Sequence, residues 1–250
     1  MIKIKILLSR FIFFILSILS SVIRQVLTPQ NQRYTFSRNV LLKNKDINLI
    51  IDVGANSGQY ASSIREHGYS GLIISIEPLP DAFSELSSRF SGDDGWVGYN
   101  CACGNITEQR QINISEDSVC SSLVTPTESF LRSIPTAKTV TTLGVDVYPL
   151  DNLLKDIPVE DYNVLLKIDV QGFERNVLKG ATTILNKAQL VEIELSVAGG
   201  YSETFGIKEG VDFFLELGFS LYSLGRGHSD ENSGQLMDAD FIFEKNIKAS

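Results

Sequence analysis

Acidic and glycine residues follow the first apolar run of the body of the chain, in a pattern that could bind a cofactor. Residues 49–51 lead directly into Asp52, Gly54, Asn56 and Gly58. In an open α/β sheet, ligands bind beyond the carboxyl ends of the strands, where glycines permit a tight turn and a close approach to a helix N-terminus. A dinucleotide site has the spacing G-x-G-x-x-G, and an acid before the glycines would repel its pyrophosphate. The acid instead suits a ligand with an ammonium and a sulfonium, which is the charge pattern of S-adenosylmethionine.

Three later residues extend this predicted cofactor site. Glu77 ends the second apolar run, nineteen residues after Gly58, where an acid can accept hydrogen bonds from both ribose hydroxyls. The adenine would lie between Asp93, which precedes the third strand, and Cys101 at the far end of that strand. We therefore predict that the cofactor contacts Asp52, Gly54, Asn56, Gly58, Glu77, Asp93 and Cys101.

Two charges interrupt a fourth apolar run, which begins at residue 164. Burying an unpaired charge costs several kcal/mol, so Lys167 and Asp169 are expected to be paired or to face the crevice. Asp169 ends the strand, where a side chain would meet the transferable methyl group or the attacking atom; the alternative is an N-cap of the next helix. Glu174, in the first turn of that helix, is a second catalytic candidate, or else a surface acid that complements the helix dipole.

If the acceptor of the methyl group is a hydroxyl, the transfer also needs a group that accepts the hydroxyl proton. Asp169, Glu192 and Glu194 are the carboxylate candidates, and we expect at most one of the last two to reach the site, because both point the same way on one strand. His228 is the alternative base. We expect no resident metal ion, because no dense cluster of oxygen ligands is present, although a hard cation held by Asp169 and a neighbour stays open.

The elements that position these residues alternate between strands and helices. Short apolar strands joined by amphipathic helices predict an α/β fold with a doubly wound, mostly parallel sheet. The predicted strands are 48–53, 72–77, 96–102, 163–168, 189–195, 219–224 and 239–243, and the predicted helices are 58–67, 80–90, 172–186 and 207–217. An insertion at about 104–160, rich in β-type alternation, is expected to form part of the substrate side of the pocket.

A basic, apolar leader precedes this domain. Residues 1–45 contain eight Lys and Arg and no acid, and we predict a boundary between this leader and a methyltransferase domain at 46–250. Polar residues recur every seven positions within 2–27, which favours an amphipathic helix in the interface of an anionic membrane. A single-pass anchor is the alternative, although Arg10 and Arg24 bracket only thirteen residues where a span needs about 20. A secretory signal and a protein-docking helix also stay open.

Composition limits the compartment and the partners. The chain carries 22 Lys and Arg against 30 Asp and Glu, and the acids all lie after the leader, which argues against a nucleic-acid groove. The three cysteines, Cys101, Cys103 and Cys120, lack zinc-site spacing and indicate thiols in a cytoplasmic protein. We expect a cytoplasmic location, at the inner face of the membrane if the leader binds it.

Several stretches together resemble a known family. IDVGANSGQY, SIEPLPDAFSEL, LLKIDVQGFERNVLKGA, VEIEL and MDADFIF, within about residues 48–243, resemble the FkbM family of S-adenosylmethionine-dependent methyltransferases. The resemblance implies a seven-stranded class I methyltransferase fold (Rossmann-like) with the last strand antiparallel, and methyl transfer to a hydroxyl of a sugar, glycan or small metabolite. It also implies cofactor roles for Asp52, Gly54, Asn56, Gly58 and Glu77, while Asp169, Gly172 and Glu174 match the family signature. The sequence departs from the family at CACGN, residues 101–105, which weakens inference about the substrate.

Two other functions compete with this interpretation. A nucleotide-dependent oxidoreductase would share the fold class, but Asp52 and the missing third glycine disfavour it. A membrane-associated adaptor could retain the fold without the chemistry.

Overall fold

Seven strands form the main sheet of the computed structural model, which describes residues 30–225, 227–230 and 232–246. The strand order is β3-β2-β1-β7-β8-β10-β9, and β10 runs antiparallel to both neighbours while the other neighbouring strands are parallel. This confirms the predicted class I methyltransferase sheet. Within the described residues the strands are β1 Leu49–Val53, β2 Leu72–Ile76, β3 Trp96–Tyr99, β4 Ala102–Cys103, β5 Glu108–Ser115, β6 Thr139–Tyr148, β7 Val164–Ile168, β8 Leu190–Ser196, β9 Phe219–Leu224 and β10 Asp238–Lys245.

Helices cover both faces of this sheet, which explains why β1 and β7 are buried throughout. On one face, Ile50 and Leu165 pack with Leu41, Ile64 and Leu86 from α1, α2 and α3. On the other face, α6, α7 and α8 pack against the alternate strand residues. In the described part of the chain the helices are α1 Gln30–Asn44, α2 Gln59–Glu66, α3 Pro80–Arg89, α4 Glu128–Ser133, α5 Leu150–Leu153, α6 Glu174–Lys179, α7 Thr182–Lys187 and α8 Ile207–Glu216, with 3-10 turns at Ser118–Cys120, Pro135–Ala137 and Val159–Asp161.

A row of polar residues crosses the sheet beneath α1 and α2. The strand register pairs Asp52 with Ser75 on one side and with Lys167 on the other, and Lys167 with Glu192. Because side chains alternate along a strand, these residues share the face of Ile50 and the α1–α3 helices. Charged groups therefore lie inside the protein at the carboxyl ends of the central strands.

The predicted insertion contributes β5 and β6 to a second, three-stranded sheet with the order β4-β6-β5. The predicted strand 96–102 is consequently divided, because β3 ends at Tyr99 and β4 belongs to the second sheet. Buried residues of this sheet, including Ile112 and Val147, pack against Leu79 at the start of α3. This packing places the second sheet beside the carboxyl end of β2.

The predicted helix 172–186 forms two helices, α6 and α7, instead of one. A Cβ at Gly180, between them, would lie 1.9 Å from the carbonyl oxygen of Gly104, so the chain is confined there by a distant segment. A carboxylate from α5 caps the first turn of α7. The backbone N–H groups of Thr183 and Ile184 donate hydrogen bonds to the Asp151 carboxylate at 2.8 and 3.0 Å. The helical periodicity of the apolar residues continues through both helices, but contacts with distant residues determine where the helix is interrupted.

Helix α1 packs against the folded domain although it falls within the predicted leader, 1–45. Leu41 and Leu42 are buried, and so is Tyr34. The predicted apolar helix within 2–27 lies outside the described residues. Among the helices of the described part, none has both the length and the apolar character needed to cross a bilayer.

Candidate active site

A cavity of about 520 Å³ opens at the carboxyl ends of the central strands. It is bounded by β1, β2, β7 and β8, by the 3-10 turn Ser118–Cys120 and by α1. Its size falls in the range of small-molecule sites. The structure brings together eight of the residues predicted for the site, including the alternative bases, in its lining: Gly54, Asn56, Glu77, Cys101, Asp169, Glu192, Glu194 and His228.

Glu77 is held by the backbone at one end of the cavity. Its Oε2 accepts from the N–H of Asn56 and its Oε1 from the N–H of Leu79, both at 2.8 Å. Burial raises the pKa of the carboxyl to about 7, although these two hydrogen bonds oppose the shift. Each carboxylate oxygen keeps further acceptor capacity, so Glu77 can still bind two hydroxyl groups of a ligand.

The loop after β1 is shaped by close contacts. Gly54 has φ +85°, and a Cβ there would lie 1.8 Å from the carbonyl oxygen of Asp169. Gly58, at φ +88°, leaves room for the side chain of Leu86 in α3, and does not itself line the cavity. Asn56 also has positive φ, 46°, and its Oδ1 accepts from the next backbone N–H. The predicted tight turn is present, and Gly58 serves helix packing.

The two residues predicted to flank an adenine behave differently. Cys101 lines the cavity, and burial raises the pKa of its thiol to about 11, so the thiol is not a nucleophile at neutral pH. Asp93 does not line the cavity. Its carboxylate binds the Arg65 guanidinium at 2.7 Å and the N–H of Gly95 at 2.9 Å, and this hydrogen bonding lowers its pKa. The geometry therefore gives Asp93 a structural role and does not support the predicted adenine contact.

Lys167 lines the cavity and links two carboxylates. Its Nζ lies 3.4 Å from Asp52 and 3.3 Å from Asp169, and 5.2 Å from the ring centre of Tyr60. Burial disfavours its charge, but the two carboxylates outweigh this and raise its pKa. Asp52 is fully buried and burial raises its pKa, partly offset by Lys167. Asp52 does not line the cavity, so the predicted contact with a cofactor ammonium has no direct geometric support.

Asp169 and Glu194 share one amide donor. The side chain of Gln171 donates at 2.8 Å to both carboxylates, and its own carbonyl oxygen accepts from the Tyr201 hydroxyl at 3.1 Å. Gln171 has φ +55° and its backbone carbonyl is bound by Ser122. Asp169, with a side chain that is 31% exposed, is thus oriented toward the cavity but still accessible.

Glu192 is enclosed by side chains from two helices. The hydroxyls of Tyr34 and Tyr60 donate to its two oxygens at 2.9 and 2.6 Å, and the Arg38 guanidinium lies 3.6 Å away. Both Glu192 and Glu194 line the cavity, so the expectation that only one would reach it is wrong. Both oxygens of Glu192 therefore already accept hydrogen bonds from within the protein.

Glu174 stabilises the loop between β7 and α6 by accepting hydrogen bonds from its backbone, and it does not line the main cavity. Its Oε1 accepts from the N–H groups of Val170 and Gly172 at 3.2 and 2.9 Å. Burial raises its carboxyl pKa to about 7. The geometry assigns Glu174 a role in loop structure, and the predicted catalytic role has no contact to support it.

His228 lies at the opposite end of the cavity from Glu77, beside Asp238. The imidazole Nδ1 lies 3.0 Å from the Asp238 carboxylate, and this hydrogen bond raises the pKa of the ring. Glu194 is close to this pair: among the described residues, these three side chains offer ligand atoms that all lie within 4.8 Å of one another.

Several residues of the cavity escaped the sequence interpretation. Tyr34 and Arg38 lie in the segment assigned to the leader, and Tyr60 reads as an ordinary helix residue. Gln171 offered a weak signal, since it stands between two strand-end acids and a glycine. Asp238, beside the cavity, offered no signal of a role with His228, because only the fold brings the two residues together.

A family model matches most of this region. The model of the methyltransferase FkbM domain matches residues 52–221, which begins at the end of β1 and includes β7, β8 and the loops that carry Glu77 and Asp169. A curated relative, "Methyltransferase 1" of Beauveria bassiana (strain ARSEF 2860), is 25% identical over 146 residues, 54% of this chain. The match spans 59% of the length of that relative.

Solved structures of low sequence identity also resemble the chain. One is magnesium protoporphyrin IX methyltransferase from Synechocystis PCC 6803 with bound S-adenosylmethionine, at 9% identity and a TM-score of 0.46, covering 87% of this chain and 80% of that one. Another is Aeropyrum pernix fibrillarin with natively bound S-adenosylmethionine, at 10% identity and a TM-score of 0.45, covering 79% and 66%. Similarity at this level indicates nothing about the activity or the substrate of this chain.

Proposed function

Because this chain belongs to the FkbM methyltransferase family, we propose that it methylates a hydroxyl group of a sugar, a glycan or a small hydroxylated metabolite. The protein is an S-adenosylmethionine-dependent methyltransferase. When bound, the cofactor supplies a methyl group on a positively charged sulfur. The residues of the chain must then bind the acceptor, orient its oxygen and accept its proton.

The residues at the Glu77 end of the cavity fit the cofactor. Glu77 is a buried carboxylate with acceptor capacity directed into a cavity, and the Gly54–Asn56 turn lies beside it. Two hydroxyl groups of a ribose match this acceptor, whereas a phosphate group would be repelled by it. Glu77, Asn56 and Cys101 would hold the nucleoside part of the cofactor.

The opposite end of the cavity supports a hydroxyl-bearing acceptor. Its polar lining comes from carboxylates, which accept hydrogen bonds from hydroxyl groups, and from tyrosines and Gln171, which can both donate and accept. Of the lining carboxylates, Asp169 combines a strand-end position with partial exposure, so we assign it the role of proton acceptor. The observation that carries this proposal is that Glu77 and Asp169 line one continuous cavity.

Charge favours a neutral or cationic acceptor. The chain has a net charge of −8, and carboxylates are prominent in the lining of the acceptor end. A polyanion such as a nucleic acid would be repelled by this surface. We therefore propose a small-molecule or glycan acceptor and no nucleic-acid partner.

We also propose that the protein works in the cytoplasm, with its basic leader on the anionic inner face of the membrane. The support is the sequence of residues 1–45 alone, with its eight basic residues and its heptad-spaced polar positions. A single-pass anchor is the alternative. Salt and detergent washes of fractionated cells separate these: salt releases a surface-bound protein, and only detergent releases an anchored one. Recovery in the soluble fraction without either treatment would refute both.

Calorimetric titration with S-adenosylmethionine tests the cofactor end. We expect one molecule bound per chain, and a loss of at least tenfold in affinity for Glu77→Ala. Glu85→Gln, an exposed acid on α3 next to Arg89, is the control and should bind normally. No heat from the wild type, equal binding by Glu77→Ala, or preferential binding of NADH would contradict the proposal.

The acceptor class is tested in cells. Mass profiles of surface polysaccharides, glycolipids and small metabolites are compared with and without the gene. We expect one species to lose 14 Da, the mass of a methylene group, and Asp169→Asn to reproduce that loss. A 14 Da loss confined to RNA or protein would contradict the acceptor class proposed here.

A further inference from the structure

Three metal-ligating side chains converge at the acceptor end of the cavity. Glu194 is near the end of β8, His228 lies in the segment 227–230 and Asp238 begins β10. Their ligand atoms all lie within 4.8 Å of one another. Because His228 and Asp238 fall outside the region matched by the family model, residues 52–221, the match assigns them no role.

The backbone around His228 is fitted to the Asp238 carboxylate. The N–H of His228 donates to Asp238 Oδ1 at 2.7 Å, and the carbonyl of His228 accepts from the N–H of Met237 at 2.9 Å. A Cβ at Gly227 would lie 1.9 Å from the same Oδ1, so glycine is needed for this approach. Asp238 Oδ2 then lies 3.0 Å from the imidazole Nδ1. This spacing is also what two ligand atoms of one metal ion would have.

Glu194, the third of these side chains, is oriented by a hydrogen-bond donor that is not itself one of the three metal-ligating residues. The Gln171 amide donates to Glu194 Oε2 at 2.8 Å, while the His228 backbone N–H plays the same part for Asp238. Metal ligands are commonly fixed by such outer hydrogen bonds, which hold each carboxylate in one orientation. Both Glu194 and His228 line the cavity, where Asp169 and Asp240 also face it.

We propose that Glu194, His228 and Asp238 bind one divalent cation, of the Mn²⁺ or Zn²⁺ class, at the acceptor end of the cavity. One imidazole and two carboxylates form a mixed nitrogen and oxygen set that suits these ions better than Ca²⁺, which prefers oxygen ligands. Three protein ligands leave coordination positions that face the cavity. Binding of the cation does not depend on methyl transfer. Its role, holding an acceptor oxygen beside Asp169, rests on the proposed function.

Local spacing along the chain does not indicate such a cluster. The three ligands are separated by 34 and 10 positions along the chain, so their proximity depends on β10 inserting next to β8. The expectation of no resident metal ion was based on the lack of closely spaced oxygen ligands, and this proposal replaces it.

Calorimetric titration of the tag-free full-length chain with MnCl₂, repeated with ZnCl₂, tests the site. We expect one ion per chain, and at least tenfold weaker binding by His228→Gln and by Asp238→Asn. His67→Gln is the matched control and should bind normally, because His67 is the other histidine of the chain, its Nδ1 lies 2.7 Å from the Ser63 carbonyl on α2, and it is not among the residues that line the cavity. Thermal unfolding without metal shows whether each variant is folded.

Nuclear magnetic resonance adds a readout that does not depend on the variants. With two histidines, ¹⁵N-histidine labelling gives two imidazole spin systems. Zn²⁺ should shift the nitrogens of His228 and leave those of His67 unchanged. The absence of saturable binding, equal binding by the variants, or an unshifted His228 ring would overturn the proposal and leave the pair as a hydrogen-bonded histidine and carboxylate. Because Glu77 is not a ligand, a chain that binds Mn²⁺ but not S-adenosylmethionine would separate this proposal from the proposed function.

Discussion

The two ends of the cavity are built in different ways. At the cofactor end, Glu77 is fixed by backbone N–H groups of Asn56 and Leu79, residues close to it in the chain or in the neighbouring loop. At the acceptor end, Glu192 is fixed by side chains from α1 and α2, and Glu194 by Gln171. A backbone-held carboxylate depends on the turn being formed. A side-chain-held carboxylate depends on which other elements pack against it.

This difference separates the functions of the two ends. A cofactor common to many enzymes can be bound by a site made from one loop and two strand ends. An acceptor that differs between enzymes needs side chains that can be exchanged without altering those strands. We therefore expect substitutions at the acceptor end to change stability and acceptor use, while the affinity for the cofactor changes little.

The largest effect is expected at Lys167, which lies between the two ends. Lys167→Met leaves Asp52 buried without its cation, so the free energy of unfolding should fall by about 3–5 kcal/mol. The double variant Asp52→Asn with Lys167→Met should recover part of this loss, because no buried charge is then unpaired. Urea unfolding of the four proteins in the cycle gives the values. A loss below about 1 kcal/mol would mean that Asp52 is protonated or hydrated in the native protein.

Glu192→Gln should have an intermediate effect, confined to the acceptor end. A glutamine has one acceptor oxygen, so one of the two tyrosine hydroxyls and the Arg38 guanidinium lose their partner. The free energy of unfolding should decrease by about 1–3 kcal/mol. The affinity for S-adenosylmethionine, measured by calorimetry, should stay within about threefold of the wild type because the Glu77 end keeps its contacts. A tenfold loss of affinity would show that the two ends are coupled.

Cofactor affinity should depend on pH through Glu77. Its raised pKa, about 7, means that the carboxyl is largely protonated at pH 6 and ionised at pH 8. If the ionised form accepts the ribose hydroxyls, affinity rises by about tenfold across this range, since one pKa unit corresponds to a factor of ten. Titrations of Glu77→Gln, which does not ionise, should be flat over the same range. Affinity that falls as pH rises would contradict this role for Glu77.

The same shift predicts how the protein without ligand responds to pH. A carboxyl whose pKa is raised on folding contributes stability that is fully present below its unfolded value and is lost as pH rises through about 7. Thermal scans between pH 5 and 8 should therefore show a decreasing melting temperature, and saturating S-adenosylmethionine should reduce the decrease.

The smallest effect is expected at Asp93, which was predicted to contact the cofactor but binds Arg65. Asp93→Asn should leave the affinity for S-adenosylmethionine within about twofold and reduce stability by less than about 1 kcal/mol, as for other partly exposed ion pairs. Measuring the cofactor affinity of Asp93→Asn and of Glu77→Ala by calorimetry under the same conditions compares two acids from the same predicted site. A tenfold loss for Asp93→Asn would restore its predicted contact with the adenine.

Local patterns were enough to predict much of the fold. The strands of the main sheet are short apolar runs, so their positions and their alternation with helices follow from composition and period. Where a distant contact decided the outcome, the prediction failed: Gly180 and Asp151 divide one predicted helix in two, and β4 leaves the third strand to join the second sheet.

The sequence by itself determined the α/β architecture, the turn after β1 and the acids at the strand ends, because each depends on residues within a few positions of one another. The tertiary structure alone decided which acids share a cavity. Asp52 is turned toward Lys167 and Asp93 toward Arg65, whereas Glu194 of β8 meets His228 and Asp238 from two other segments. Side-chain partners of buried charges are set by strand register and helix packing, and neither is encoded in local spacing.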